Sequence, residues 1–345
     1  MSKKRQIFWW SLVLFPAYLL ITFGTLFVQW ANRKLPLSQE VLITLPKKAT
    51  LYTLSDELEQ RGLTNSSTFF HLWVKLHLHS YEHFLAGTYR FVDAVSPHDI
   101  VTTMIDGKTY SPLVLEFTIP EGATFAQIQS TLIEAGVGSE DDYHKLQTDK
   151  VWLSSLGLKE LEGFLYPATY RFFNTKPSAQ EVVERAVKEF FVRIPEDYKE
   201  QLQRHSLSLE QWVAFASLIE RETPWDQERR FIAEVIWRRL KAGMTLGIDA
   251  AIIYGIKDYK GTITREHLQD RHNLYNTRIY RGLPPTPIAS PSLASLTAVL
   301  NPTDEAYYYF VLVPGPARQH HFSKTMQEHN IFVKQLVKAQ RLAKP

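Results

Sequence analysis

From Ile7 to Ala31 (IFWWSLVLFPAYLLITFGTLFVQWA) the chain runs for 25 residues without a charged side chain. At 1.5 Å per residue, a helix of that length reaches ~37 Å, enough to cross a hydrocarbon core of ~30 Å with some tilt. Pro16 lies inside the run, where membrane spans tolerate it. The flanks, MSKKRQ before and NRKL after, differ only weakly in basic charge, so orientation rests on the short tail, residues 1–6, staying in the cytoplasm. The alternative is a cleaved signal peptide, but its apolar core would be shorter and followed by a small-x-small site. The expectation is a retained single-pass anchor over 7–31 in the inner (cytoplasmic) membrane, with the rest of the chain on the periplasmic or outer side.

Composition then narrows what lies outside. With 45% hydrophobic and 22% charged residues, the chain has the makeup of a folded protein. Lys3, Lys4 and Arg5 account for the net charge of +3, leaving 36 basic against 36 acidic residues, a balance that argues against a nucleic-acid partner. Having no cysteine, the chain can form no disulfide, thiolate nucleophile or Cys-ligated zinc site.

An internal repeat organises the first half. Thr44-Leu45-Pro46-Lys47-Lys48-Ala49-Thr50-Leu51 matches Thr118-Ile119-Pro120-Glu121-Gly122-Ala123-Thr124-Phe125, and the match continues through Leu54/Ile128, Leu58/Leu132, Gly62/Gly136 and Leu63/Val137. Each copy reads as a short strand, a proline-marked turn, a threonine suited to N-capping, and a helix that stops at glycine. After the first copy come a helical stretch, Ser67 to His77, with Phe70, Val74 and Leu78 along one side, and an extended Gly87-Thr88-Tyr89-Arg90-Phe91. That strand, helix, helix, strand order resembles the LysM module, a small glycan-binding fold. Beyond about residue 150 the pattern shifts to longer helices over 178–192, 207–223 and 227–242. A proline-rich stretch at 282–291, a tyrosine-rich strand at 307–313 and a last helix from about Ser323 follow. The expected fold is α+β, with a LysM-like βααβ region at 40–150 and a mainly helical catalytic domain with some strand at 151–345.

The helix ending at Pro224 holds the first chemical candidate. On a wheel of about 100° per residue, Trp212, Phe215 and Ile219 form the apolar stripe, and Glu222 lies about 60° from Ile219 on the Phe215 side. Glu220 falls on the other flank. A carboxyl among apolar walls at a helix C-terminus has its pKa raised, as a general acid at neutral pH requires. The plain alternative is a glutamate paired with Arg221, Arg229 or Arg230.

Context weights the choice. The letters Ala216-Ser217-Leu218-Ile219-Glu220-Arg221-Glu222-Thr223, Arg238-Arg239-Leu240-Lys241-Ala242-Gly243-Met244 and Tyr254-Gly255 resemble the endolytic murein transglycosylase family, also called YceG-like. So do Leu161 to Pro167 with Thr169-Tyr170, Tyr275-Asn276-Thr277, Gly282-Leu283-Pro284-Pro285, His320 to Phe322 and Glu328-His329-Asn330, in family order. The resemblance implies that Glu222 is the catalytic acid. It also implies cleavage of the β-1,4 bond between N-acetylmuramic acid and N-acetylglucosamine inside nascent glycan strands, without water, to leave 1,6-anhydro ends. No metal or organic cofactor is required, and the implied partners are peptidoglycan and a synthase of the penicillin-binding class.

The chain departs from the family pattern where relatives commonly read Leu-Gln-Ser/Thr-Asp. Here it has Leu246-Gly247-Ile248-Asp249, keeping the leucine and the aspartate, and Ala168 stands where an aspartate is frequent. Substrate-contact candidates are Asp249, equally readable as a cap, Asn276, equally readable as satisfying a turn, and His329. The spacing of His320, His321 and His329 fits no zinc motif. Tyr307 to Phe310 could stack sugars, although half of an alternating strand normally faces a core. The rival function is a noncatalytic anchored glycan-binding scaffold in which Glu222 is structural.

Overall fold

The computed structural model describes residues 3–77, 83–257, 259–315 and 318–342, so Leu78, expected on the face of the second helix, lies outside the described residues. α1 (Lys3–Asn32) is one helix with Pro16 inside it, and its stretch Leu14–Asn32 is long and apolar enough to cross a membrane. Leu14, Phe15, Leu20 and Ile21 are exposed. The end of the helix is docked: Phe27 and Ala31 are buried, Phe27 meets Phe69 and Trp73 edge-on, and Trp30 Nε1 donates to Asn65 Oδ1.

The chain divides into two compact units, 1–112 and 113–345. In the first, β1 (Leu35–Pro36) pairs with β4 (Ala94–Val95), and α4 (Pro97–Ile105) follows. Between them lie β2 (Val41–Leu45), α2 (Leu51–Gln60), α3 (Ser67–His77) and β3 (Gly87–Phe91), with β2 and β3 antiparallel. α2 starts where Thr50 forms a reciprocal capping box with Thr53, and it stops at Gly62, whose φ of +75° suits glycine. β2 alternates, and Ile43 and Leu45 are buried in a core with Leu54, Leu58, Phe70 and Tyr89, with Val41 partly buried against it.

The second unit opens with the other copy. β5 (Leu113–Thr118), α5 (Phe125–Glu134), α6 (Glu140–Thr148) and α7 (Lys150–Ser155) lead to β6 (Thr169–Phe173), which pairs antiparallel with β5. Thr124 caps α5, and Gly136 with φ +72° ends it. The repeat is longer than the first-strand match indicates. Thr88-Tyr89-Arg90-Phe91 returns as Thr169-Tyr170-Arg171-Phe172. In each copy the strand threonines join across the pair, Thr44 to Thr88 and Thr118 to Thr169, and the return tyrosine donates to the carbonyl four residues upstream. The division at 112/113 replaces the boundary expected near 150. β5 needs β6 beyond that point as its partner, and Phe125, Ile128 and Leu132 share a core with Trp212 and Phe215.

The rest of the second unit is mainly helical: α8 (Ala179–Arg193), α9 (Tyr198–His205), α10 (Leu209–Glu222), α11 (Asp226–Lys241), α12 (Asp249–Tyr254), α13 (Arg265–Gln269) and α14 (Leu293–Leu300). A hairpin of β7 (Tyr309–Leu312) and β8 (His320–Ser323) precedes α15 (Met326–Leu342). α10 is buried along most of its length, and the Trp212 indole donates to the Leu296 carbonyl of α14. The molecule is therefore mixed helix and strand, as expected, with helices dominant after residue 173.

Candidate active site

Glu222 is the last residue of α10, held there because Thr223 leaves the helix in extended conformation before Pro224. It opens into a cavity of about 590 Å³ shared with Arg239, Gly247, Asp249, Arg278, Phe310, His320 and His329. α11 brings Arg239, the start of α12 brings Asp249, the β7–β8 hairpin brings Phe310 and His320, and α15 brings His329.

The two inward acids of α10 differ in their partners. The wheel ranked Glu222 as the interior one, but the structure buries Glu220 as well. Its carboxylate takes Arg229 Nη1 at 3.0 Å, the Ser292 amide at 2.9 Å and the Ser292 hydroxyl. Arg221 instead reaches the Gly122 carbonyl at 3.0 Å, and Arg230 reaches the Asn301 carbonyl. Each arginine the plain reading offered to Glu222 is engaged elsewhere. Among the described residues, the Glu222 carboxyl makes no hydrogen bond and no ion pair. Burial pushes its pKa up to about 7, the negative charge of Asp249 adds to that, and Arg221 and Arg239 offset part of it. Such a group is substantially protonated at neutral pH and can give a proton and take one back.

The expected substrate contacts separate on inspection. Asp249 and His329 line the cavity with Glu222. Asp249 is half-exposed and pairs with Arg278 at 2.7 Å. His329 stacks on Tyr309 with ring centroids 5.3 Å apart, and burial, then Arg239, lowers its pKa. Asn276 does not line the cavity and is withdrawn as a substrate contact. Fully buried, its amide donates to the carbonyls of His267, Leu268 and Asp270, and its oxygen accepts from the Arg278 amide. The turn consumes it, which leaves nothing for a sugar. Its neighbour Thr277 clamps the loop before α12, accepting from the Ile248 amide and donating to the Ile248 carbonyl, while its own carbonyl accepts from the Gly247 amide. Gly247 has φ +65°, a left-handed position favouring glycine.

The aromatic strand expected at 307–313 forms as β7 over a shorter range. Its rings are half-buried, with Phe310 facing the cavity and packing edge-on to His320. Residue-level reading did not single out Arg239 and Arg278, the cations of the site. Arg239 donates from Nε to the Tyr308 carbonyl and from Nη1 to Leu246, tying the hairpin to the loop below it. Its sequence signals are the arginine pair in the last turn of α11 and its place in the Arg238 to Met244 stretch that carries the family resemblance.

A relative from Bacillus subtilis (strain 168) named endolytic murein transglycosylase is 28% identical over 311 residues, covering 84% of this chain and 83% of the relative. One of the same name from Streptococcus pneumoniae serotype 2 is 26% identical over 306 residues, and the alignment spans 79% of this chain and 54% of that longer protein. A crystal structure of a YceG-like protein from Listeria monocytogenes superposes with a TM-score of 0.57 at 30% identity, covering 86% of this chain and 99% of the other. The model of the YceG-like family matches residues 43–335, and the chain belongs to that family.

Proposed function

We propose that this protein is a membrane-anchored endolytic murein transglycosylase with Glu222 as its single catalytic carboxyl. One observation carries the reading: an unpaired carboxyl with a pKa pushed up to about 7, facing a cavity with room for a saccharide. Glu222 protonates the glycosidic oxygen as the bond to muramoyl C1 breaks and an oxocarbenium-like centre forms. The carboxylate then takes the proton of the muramoyl C6 hydroxyl as that oxygen bonds to C1. A 1,6-anhydro end and a free 4-hydroxyl result, and water is neither consumed nor released. The substrate's own hydroxyl replaces the second carboxylate of a hydrolase, with intramolecular placement supplying the effective molarity.

Asp249 and His329 are the proposed sugar contacts. Asp249 also raises the Glu222 pKa, and His329 offers a flat ring beside Tyr309. The first copy, β2-α2-α3-β3, is read as LysM-like, supported by its element order and antiparallel outer strands. α1 is read as the inner-membrane anchor with the folded units on the periplasmic side, and a tethered enzyme of this class would meet glycan still leaving its synthase.

The test uses the full chain in detergent, wild type and Glu222→Gln, with purified glycan strands, and weighs the muramoyl ends. Wild type should give ends lighter than hydrolysed ends by one water, and the variant should cut about 10²- to 10⁴-fold more slowly while still binding strands. Ends carrying the water would make the protein a hydrolase. Binding without cutting by both proteins would replace the enzyme with a scaffold. Because the acid must be protonated, cleavage should fall as pH rises through about 7.

A further inference from the structure

Six residues after Glu222 stands another buried carboxylate. Glu228, in the first turn of α11, is 7% exposed and belongs to no surface ion pair. Its Oε2 accepts from the Thr223 hydroxyl at 2.8 Å and meets His320 Nδ1 at 2.9 Å, and its Oε1 accepts from the His320 amide at 2.8 Å. The carboxylate thus holds His320 at both its backbone amide and its ring nitrogen. Thr223 Oγ1 in turn accepts from the Trp225 amide, which closes the turn between α10 and α11. The network thus begins at the residue bonded to Glu222 and ends at a ring that lines the same cavity.

This linkage bears on a specific problem of the chemistry. The Glu222 carboxyl has no hydrogen bond of its own among the described residues, so nothing at the carboxyl fixes its place. Its backbone is the last of a helix, where chains fray. We infer that Glu228 is a positioning residue for the reaction: through Thr223 and His320 it fixes the end of α10, and so the Glu222 carboxyl, against the β8 wall where the sugar must lie. The inference rests on Glu222 being the acid. Glu228 itself touches no substrate, because its oxygens are engaged by Thr223 and His320.

The experiment measures kcat and KM for 1,6-anhydro end formation by the full chain. It compares wild type, Glu228→Gln, Thr223→Val and the double variant, with thermal unfolding of each and strand binding in the Glu222→Gln background. Glu228→Gln keeps the size but puts an NH2 in place of one acceptor oxygen, so donor hydrogens face either the His320 ring and the Thr223 hydroxyl or the His320 amide. The expected result is a loss in kcat of roughly 10- to 100-fold, as for a displaced catalytic group, with KM within about threefold and strand binding retained. Thr223→Val should show a smaller loss with the same split, and the double variant should be no worse than Glu228→Gln alone, because both cut one chain of contacts. Unchanged kcat in Glu228→Gln overturns the inference. So do losses that multiply, or a fall in kcat matched by lost strand binding. If Glu228→Gln does not fold, Thr223→Val, which removes one hydroxyl bond, decides alone. Wild type that forms no anhydro ends refutes the acid reading and this inference with it, whereas active wild type beside equally active variants refutes the positioning role only.

Discussion

The two copies of the repeat begin alike and end in different circumstances. In the first, the turn Pro46-Lys47-Lys48-Ala49 is closed by the Ala49 amide on the Pro46 carbonyl, and its lysines are exposed. In the second, the same bond closes Pro120 to Ala123, but Gly122 exchanges backbone bonds with the proline-rich segment: its amide donates to Ser290, and the Ser290 amide donates to Ala123. Arg221, adjacent to Glu222, donates to Gly122 as well. The return connections differ more. Residues 78–86 lead back to β3, whereas 149–168 lead back to β6 and carry Glu162, which accepts from the Phe125 amide and the Tyr254 hydroxyl. A duplicated unit has thus become part of the scaffold of the catalytic domain through one glycine and one longer connection. Local sequence sets the module, and what packs against it sets its use.

Several substitutions would break or sharpen that contrast. Gly163, in the longer connection, has φ +83°, and a Cβ there would lie 2.5 Å from Pro287 and 2.8 Å from Val213. Gly163→Ala should cost more than about 3 kcal/mol in denaturant unfolding of the second unit, because strain and overpacking add. An unchanged midpoint would mean the connection is not packed as described.

The units should also respond to pH in opposite senses. Glu222 and Glu162 are pushed from 4.5 up to about 7, chiefly by burial, so the native state binds more protons than the unfolded one across that window. Stability of the second unit should therefore fall as pH rises from about 4.5 to 7, on the order of 2 kcal/mol for Glu222, and Glu222→Gln should flatten the slope. In the first unit, burial and then Lys75 hold the His71 pKa down, while Ser67 holds Glu59 down. Stability there rises as pH approaches 6.5 and is lost only in acid. Parallel slopes in the two units, followed by unit-resolved hydrogen exchange, would contradict this.

Exchanging turn residues gives a smaller effect. Gly122→Lys forces φ +72° on a side chain and should cost about 1–2 kcal/mol, whereas Lys48→Gly in the exposed turn should stay within about 1 kcal/mol. Equal costs would remove the distinction drawn between the turns. Smallest, and shared by both copies, is the tyrosine hydroxyl: Tyr89→Phe and Tyr170→Phe should each lose about 1 kcal/mol, as the same bond is removed from each. A loss in only one would mark that copy as the one dependent on it.

Much of this was legible in the residues. The α1 run, the repeat, the glycine stops and the order of helices follow from periodicity and capping, which act within a few positions of the chain. Ser67 to His77 and Gly87 to Phe91 form as read. Glu222 was picked out by its place on a wheel and by resemblance. The division between units was misplaced because β5 finds its partner across residues 119–168, a separation that local pattern does not register. Asn276 was misjudged for a related reason: an amide suited to a sugar is equally suited to three carbonyls, and only the folded turn shows which it meets.

What the sequence by itself determined is therefore the set of elements and the residue types able to do proton chemistry, because helix, strand and cap preferences are short-range. What the tertiary structure decided is which of two neighbouring glutamates is paired and which is free, which arginines face the cavity, and what fixes the helix end. Those outcomes depend on desolvation and on partners 60 or more positions away, such as Ser292 for Glu220 and His320 for Glu228, and both exist only once the chain has closed around them.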